Sequence, residues 1–218
     1  MSPDSKRERM AALHRQMILE SAKELFLQQG YEAVNMDELC RVSTYSRRTI
    51  YKYFAGKEDV YLHLVYNGLA ALHADLVEAI NSTPYFMARY RAICTAMKAY
   101  HAQYPHAVQA VNHYKSGETS PEEPLKITQE IFAIGESVNQ LLTAYIKEGI
   151  EQGIVLETVQ ARQTVYVLWV GISALLDMAA LKTQHLEEEF GMPVDDFLQY
   201  GFDQLIDGIL EDRIHGTA

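Results

Sequence analysis

Cysteine is scarce: Cys40 and Cys94 are the only two in 218 residues. Two cysteines make no disulfide framework, and each stands in a predicted helix, where a lone cysteine acts as a small core residue. A reducing cytoplasm fits that usage. Proline is absent between Pro3 and Pro84, so helices in that stretch run without interruption. The first dozen residues hold no apolar run of the kind a secretory signal needs, and the segment SPDSKRER reads as a mobile basic arm. The longest apolar run, Thr164–Leu181, carries Asp177 and reads as a buried helix rather than a membrane span. Nucleophile elbow, phosphate-binding glycine loop and paired-carboxylate signatures are all missing, so nothing in the sequence argues for an enzyme. His101, His106 and His113 stand five and seven apart, not the three or four that sets two metal ligands on one helical turn. His185 beside Glu188 and Glu189 fits that spacing better but reads as a solvated helix end. No metal and no cofactor is expected.

Positive charge is also short overall, with 19 Lys+Arg against 29 Asp+Glu and a net charge of −10. It is unevenly spread. Residues 1–57 are net +3 and residues 58–218 net −13. Screening limits a charge's reach to about 8 Å at physiological salt, so the local excess near the amino end is the one that a polyanion meets.

That basic segment holds the most informative stretch, residues 31–57. Asn35 is an N-cap candidate, with Asp37 and Glu38 in the first turn and Glu38 placed for a capping box. Met36, Leu39 and Val42 give a two-turn helix one apolar face. Ser43 and Thr44 break it. Ser46 caps a second helix, Arg47–Phe54, with Ile50, Phe54 and part of Tyr51 inward. Arg47, Arg48, Thr49, Lys52 and Tyr53 face outward or flank that inner face. Two short helices joined by three or four residues form a helix-turn-helix, whose second helix enters the major groove with its amino-terminal end at the base edges. Thr44, Tyr45, Arg47, Arg48 and Thr49 occupy that end. Arginine can pair with guanine O6 and N7, and threonine can touch a thymine methyl. Tyr51, Lys52, Tyr53 and Lys57 suit phosphate oxygens, and Asn35 stands with them at the first helix. Periodicity alone leaves an acidic helical binding or scaffolding protein as an alternative.

The order of residues narrows the choice. Ile18, Ala22, Leu25, Phe26, Gly30 and Tyr31 mark an amphipathic helix ending at a glycine. The helix pair follows, then Thr49-Ile50-Tyr51-Lys52-Tyr53-Phe54 and Lys57-Glu58-Asp59. Over roughly residues 12–65 the chain resembles the DNA-binding domain of the tetracycline-repressor (TetR) family of bacterial regulators. Departures are Ser43-Thr44 where the family has Ala-Gly, Arg48 where it has a small residue, and Asn35 where it has Thr or Ser. The missing turn glycine predicts a slightly altered turn, and Arg48 makes the operator sequence unpredictable.

The remainder reads as helices: about 57–80, 85–103, 105–114, 125–152, 158–188 and 194–212, with a polar loop at 115–124. The helix at 158–188 is apolar nearly all round its middle, which predicts burial on several sides. In the last helix Phe197, Leu198, Phe202, Leu205, Ile206 and Ile209 face inward. The fold class is therefore all-α, and the resemblance implies a helix-turn-helix domain over 1–57 and a helical effector-binding and dimerisation domain over 58–218. The resemblance implies several further expectations. The helix from Lys57 transmits ligand binding to the DNA heads. The string Glu148–Ile154 is the turn between the two longest C-terminal helices. The last two helices dimerise, with Gly171, Ser173 and Ala174 permitting close approach. An effector cavity lies among the C-terminal helices, for which Met97, His101, Tyr104, Trp169 and Asp177 are the candidates. The partners implied are a palindromic double-stranded operator, a small-molecule effector and a second copy of the chain, with no membrane.

Overall fold

The structure is a computed structural model that describes residues 3–113 and 125–211. The loop 115–124, Tyr114 and the predicted helix end at Asp212 lie outside the described residues. The described residues form nine helices: α1 (Pro3–Gln29), α2 (Met36–Ser43), α3 (Arg47–Tyr51), α4 (Lys57–Asn81), α5 (Phe86–Gln103), α6 (Pro105–His113), α7 (Lys126–Glu151), α8 (Ala161–Phe190) and α9 (Val194–Asp207). The fold is all-α, as the periodicity predicts. The basic arm differs from expectation, because the chain is already helical from Pro3. Proline at a first helical position loses no hydrogen bond, since that N–H has no intrahelical partner.

The chain forms two compact units. One comprises the described residues within 1–69 and 104–133, the other those within 70–103 and 134–211. The helices α4 and α7 contribute residues to both. In the first unit Ile18, Ala22, Leu25 and Phe26 of α1 repeat on one helical face and bury against Val34, Leu39, Ile50, Phe54, Val60 and Leu64. This is the core that fixes α2 and α3. Truncating such a residue to alanine costs about 2–5 kcal/mol, so Leu39 or Ile50 to alanine would threaten the whole unit. Gly30 ends α1 in the left-handed region at φ +79°, with its N–H on the Phe26 carbonyl.

In the second unit α5, α7, α8 and α9 surround a core that includes Tyr90, Met97, Tyr145, Ile146, Ile172, Phe202 and Ile206. Buried tyrosine hydroxyls find backbone acceptors: Tyr90 donates to the Phe202 carbonyl at 2.7 Å and Tyr145 to that of Phe86 at 2.9 Å. The Phe86 and Tyr145 rings stack with centroids 4.5 Å apart. Arg89, almost wholly buried, grips Glu148 with two hydrogen bonds of 2.8 and 2.7 Å. Gly149 lets α7 approach Phe86 and Val155 closely, for a Cβ there would sit 2.6 Å from the Phe86 ring. Gly153 then turns the chain at φ +67°, so the predicted turn stands where the sequence puts it.

The expectation that α8 is buried on several sides fails within the chain. Val165, Leu168, Ile172, Leu176 and Ala179 are buried, but Val167, Val170 and Leu181 are 66, 64 and 83 % exposed. By length and composition α8 could cross a membrane. Its Lys182 has non-helical dihedrals, which kink it near the end. The small residues of α8 also serve differently. Gly171 lies under Leu205 of the same chain and Ser173 is buried, which leaves only Ala174 on the outer face.

Candidate nucleic-acid interface

Helix α2 is held at its start by the predicted capping box. Asn35 Oδ1 accepts from the backbone N–H of Asp37 at 3.0 Å and of Glu38 at 3.1 Å, and Glu38 accepts from the Asn35 N–H at 3.1 Å. The side-chain oxygen of Asn35 is thus committed to the cap, and only its amide nitrogen is left to face outward. The buried face of α2 is Leu39 and Ser43, not Met36–Leu39–Val42. Val42 is exposed and Met36 half-buried. Ser43 Oγ donates back to the Leu39 carbonyl, which lets a polar residue close the buried face.

The turn is made at Thr44, the one non-glycine residue with positive φ among those described, at φ 59°, ψ 12°. The chain takes the left-handed conformation that glycine adopts readily, and a β-branched residue bears the steric cost. Ser46 then caps α3, accepting from the Thr49 N–H at 3.2 Å, with its hydroxyl 2.8 Å from that of Thr49.

Arg47, Arg48, Tyr51 and Lys52 stand exposed on this edge, with Thr44 beside them. Arg47 is 3.7 Å from Asp37, but both side chains are solvated, and such pairs are worth little. Its guanidinium can therefore exchange Asp37 for a phosphate or base at small cost. The tyrosines depart from expectation. Tyr51 points outward, 48 % exposed, and Tyr53 is the one turned toward the core. Tyr45 is half-buried as well.

A residue that the sequence reading missed explains the inward turn. His14 of α1 hydrogen-bonds the Tyr45 hydroxyl at 2.7 Å and stacks near the Tyr53 ring at 6.0 Å. Arg15 also lies over the Tyr53 ring, 6.0 Å from its centroid. His14 is four residues before Ile18, on the face that Ile18, Ala22 and Leu25 bury, and that spacing was the signal available. Lys57 also proves engaged. Its ammonium donates to the Tyr31 carbonyl at 3.0 Å and sits 4.3 Å from the Tyr31 ring, tying the start of α4 to the end of α1.

The effector candidates do not converge. Met97 and Trp169 line one cavity of the second unit, with walls from Tyr90, Leu142, Tyr145 and Leu168. Its volume is about 30 Å³, enough for water and far below the roughly 300–1,000 Å³ of a small-molecule site. His101 and Asp177 form a separate pair, 3.4 Å apart. Burial pushes the His101 imidazole below its ordinary pKa, against the pull of the Asp177 carboxylate. Tyr104 belongs to the first unit. Among the described residues no three His, Cys, Asp or Glu side chains gather to hold a metal.

An all-α chain with a capped helix pair and a cationic, hydroxyl-bearing second helix has the architecture of a helix-turn-helix DNA-binding protein. Residues 18–64 match the sequence profile of the bacterial regulatory proteins of the tetR family. Over those residues the chain carries a DNA-binding domain of a transcriptional regulator of that family. None of the curated proteins matches it significantly in sequence. Solved structures share the fold. A protein of unknown function from Rhodococcus sp. RHA1 is 18 % identical with a TM-score of 0.72, over 91 % of this chain and 96 % of that one. The regulator PfmR of Thermus thermophilus is 20 % identical with a TM-score of 0.67, over 87 % and 97 %. The Bacillus subtilis regulator FadR, solved with stearoyl-CoA, is 16 % identical with a TM-score of 0.69, over 89 % and 98 %.

Proposed function

We propose that the protein is a cytoplasmic repressor that binds a palindromic operator as a homodimer and leaves it when a small apolar effector binds. The observation that carries the reading is the outer stripe of α8. Val167, Val170, Ala174 and Leu181 recur at helical spacing, all exposed, with Tyr200 of α9 also uncovered at 62 %. An exposed apolar stripe on a helix, here broken only by Asp177, marks an interaction surface. A two-fold axis through that face would set two copies of α3 toward successive turns of a duplex, at half-sites about 34–36 Å apart or a related spacing.

Within each copy Thr44, Arg47, Arg48 and Thr49 contact base edges or neighbouring phosphates. Tyr51 and Lys52 hold phosphates. Asn35, Tyr45, Tyr53 and Lys57 act mainly by positioning, since each already spends polar atoms or ring faces inside the chain. On this reading the DNA-binding part is residues 1–57 and the effector and dimer part is 58–218. Apolar walls and a small volume at Met97 and Trp169 favour an effector with a hydrocarbon portion that widens the cavity as it enters. The stearoyl-CoA in the Bacillus subtilis FadR structure makes an acyl chain the first effector to try. Ligand action needs unequal affinity for the DNA-bound and free states, and a helix core that must part to admit the ligand supplies it.

Two measurements test this. Light scattering behind size exclusion should give a dimer for the wild type and a monomer for Val167→Asp/Val170→Asp, since both positions are solvent-exposed in the single chain. Stearoyl-CoA and palmitoyl-CoA, titrated into the protein on a selected DNA fragment, should release the DNA and change Trp169 fluorescence together. A wild-type monomer, or DNA release with no change at Trp169, contradicts the proposal.

A further inference from the structure

The first unit holds a groove of its own, of about 350 Å³, walled by α1, α4 and α6. Leu19 and Leu64 line its apolar part, and Arg15 and Lys23 supply two cations. Glu20 also lines it, so the lining keeps one net positive charge. His106 lines the groove from α6 and is only 4 % exposed. Its Nε2 lies 3.4 Å from the Leu64 carbonyl, an acceptor, so that nitrogen carries the proton in the neutral ring. Its Nδ1 is then a lone-pair acceptor, and it is buried with no hydrogen-bond partner. An unsatisfied buried acceptor is costly, and a ligand that donates to it recovers that cost.

We propose that this groove binds a small hydroxy acid, with its carboxylate on Lys23, whose ammonium lies over the Tyr104 ring at the groove wall, its apolar body on Leu19 and Leu64, and its hydroxyl donating to His106 Nδ1. A neutral His106 is what a hydroxyl donor requires. Burial holds the imidazole below its usual pKa, and nearby Lys23 pushes the same way while the Leu64 carbonyl opposes. The volume suits an arene of this class, since a cavity of about 150 Å³ admits benzene. The site is separate from the apolar cavity at Trp169 and does not rest on the repressor reading.

The full-length protein, labelled with 15N-histidine, is titrated with 2-, 3- and 4-hydroxybenzoate, with benzoate and with 4-hydroxybenzamide. One hydroxybenzoate isomer should bind saturably and shift the His106 ring resonances while the fluorescence of the single tryptophan, Trp169, stays constant. Benzoate lacks the donor and the amide lacks the charge, so each should bind about tenfold or more weakly. Lys23→Gln should lose about tenfold, and Lys23→Arg should bind within about threefold of wild type. Lys23 is chosen because Arg15 also lies over Tyr53 at the DNA-facing edge. The assignment is overturned if no isomer saturates by about 10 mM. It is equally overturned if benzoate binds as well as every isomer, if Lys23→Gln binds unchanged, or if Trp169 responds and His106 does not.

Discussion

Thr44 bears the strain in this structure. A β-branched side chain at φ 59° is a genuine outlier, and the left-handed region costs an L-residue about 1–2 kcal/mol. Thr44→Gly should therefore stabilise the protein by about 1 kcal/mol, after glycine's own entropic cost, and raise Tm by about 3 °C. Thermal unfolding reads it, and an unchanged or lower Tm would show the turn to be unstrained. At the other end of α2, Asn35→Ala removes the acceptor for two backbone N–H groups and should cost about 1 kcal/mol in urea unfolding. His101 and His106 set a pH dependence. Burial, the larger influence at each, holds both below the ordinary 6.5, so the unfolded chain takes up protons that the folded chain refuses. Their contribution to stability is complete above about pH 6.5 and is lost progressively below it. Urea midpoints should fall between pH 7 and pH 5, and the fall should be smaller in His101→Gln/His106→Gln. An equal fall in that variant would assign the loss elsewhere. Glu148 acts in a lower window. Hydrogen bonds from Arg89 hold its carboxyl below the ordinary 4.5, so that stability disappears only as the pH drops under that range.

At the scale of elements, helix ends were legible because glycine and proline mark them. Gly30, Gly153 and the Gly191-Met192-Pro193 break stand at or just past the ends of α1, α7 and α8. The exchange of Tyr51 and Tyr53 was not legible, and the reason is local. Helix α3 is only five residues long, and after it Lys52 and Tyr53 bond back three residues to Thr49 and Ile50. The tighter winding ends the 3.6-residue period on which the reading relied. His14 completes the change by offering Tyr53 a stacking partner from a helix more than 30 residues earlier. The two faces of α8 were illegible for another reason: its exposed face has the same apolar composition as its buried one. The α8–α9 contact gives a test. A Cβ at Gly171 would sit 2.8 Å from Leu205, so Gly171→Val should overpack the pair and cost about 1–3 kcal/mol in chemical unfolding. A neutral outcome would show that α9 can slide aside without loss.

For the whole molecule, charge division is the property that lets an acidic protein bind DNA. The −10 total hides a +3 segment that carries the capped helix pair, and the acidic remainder disfavours contact by any other face. The proposed dimer and effector stand one step further from the sequence, because a single chain's fold displays neither a two-fold axis nor a ligand. The DNA-reading edge needs neither. Its most direct test is a titration of the purified protein against a pool of genomic fragments across salt. The account predicts enrichment of a palindromic site, preferred over bulk DNA by about 10³ or more, with affinity falling by decades between about 50 and 200 mM salt. Equal retention of every fragment, or no retention at the lowest salt, would contradict it.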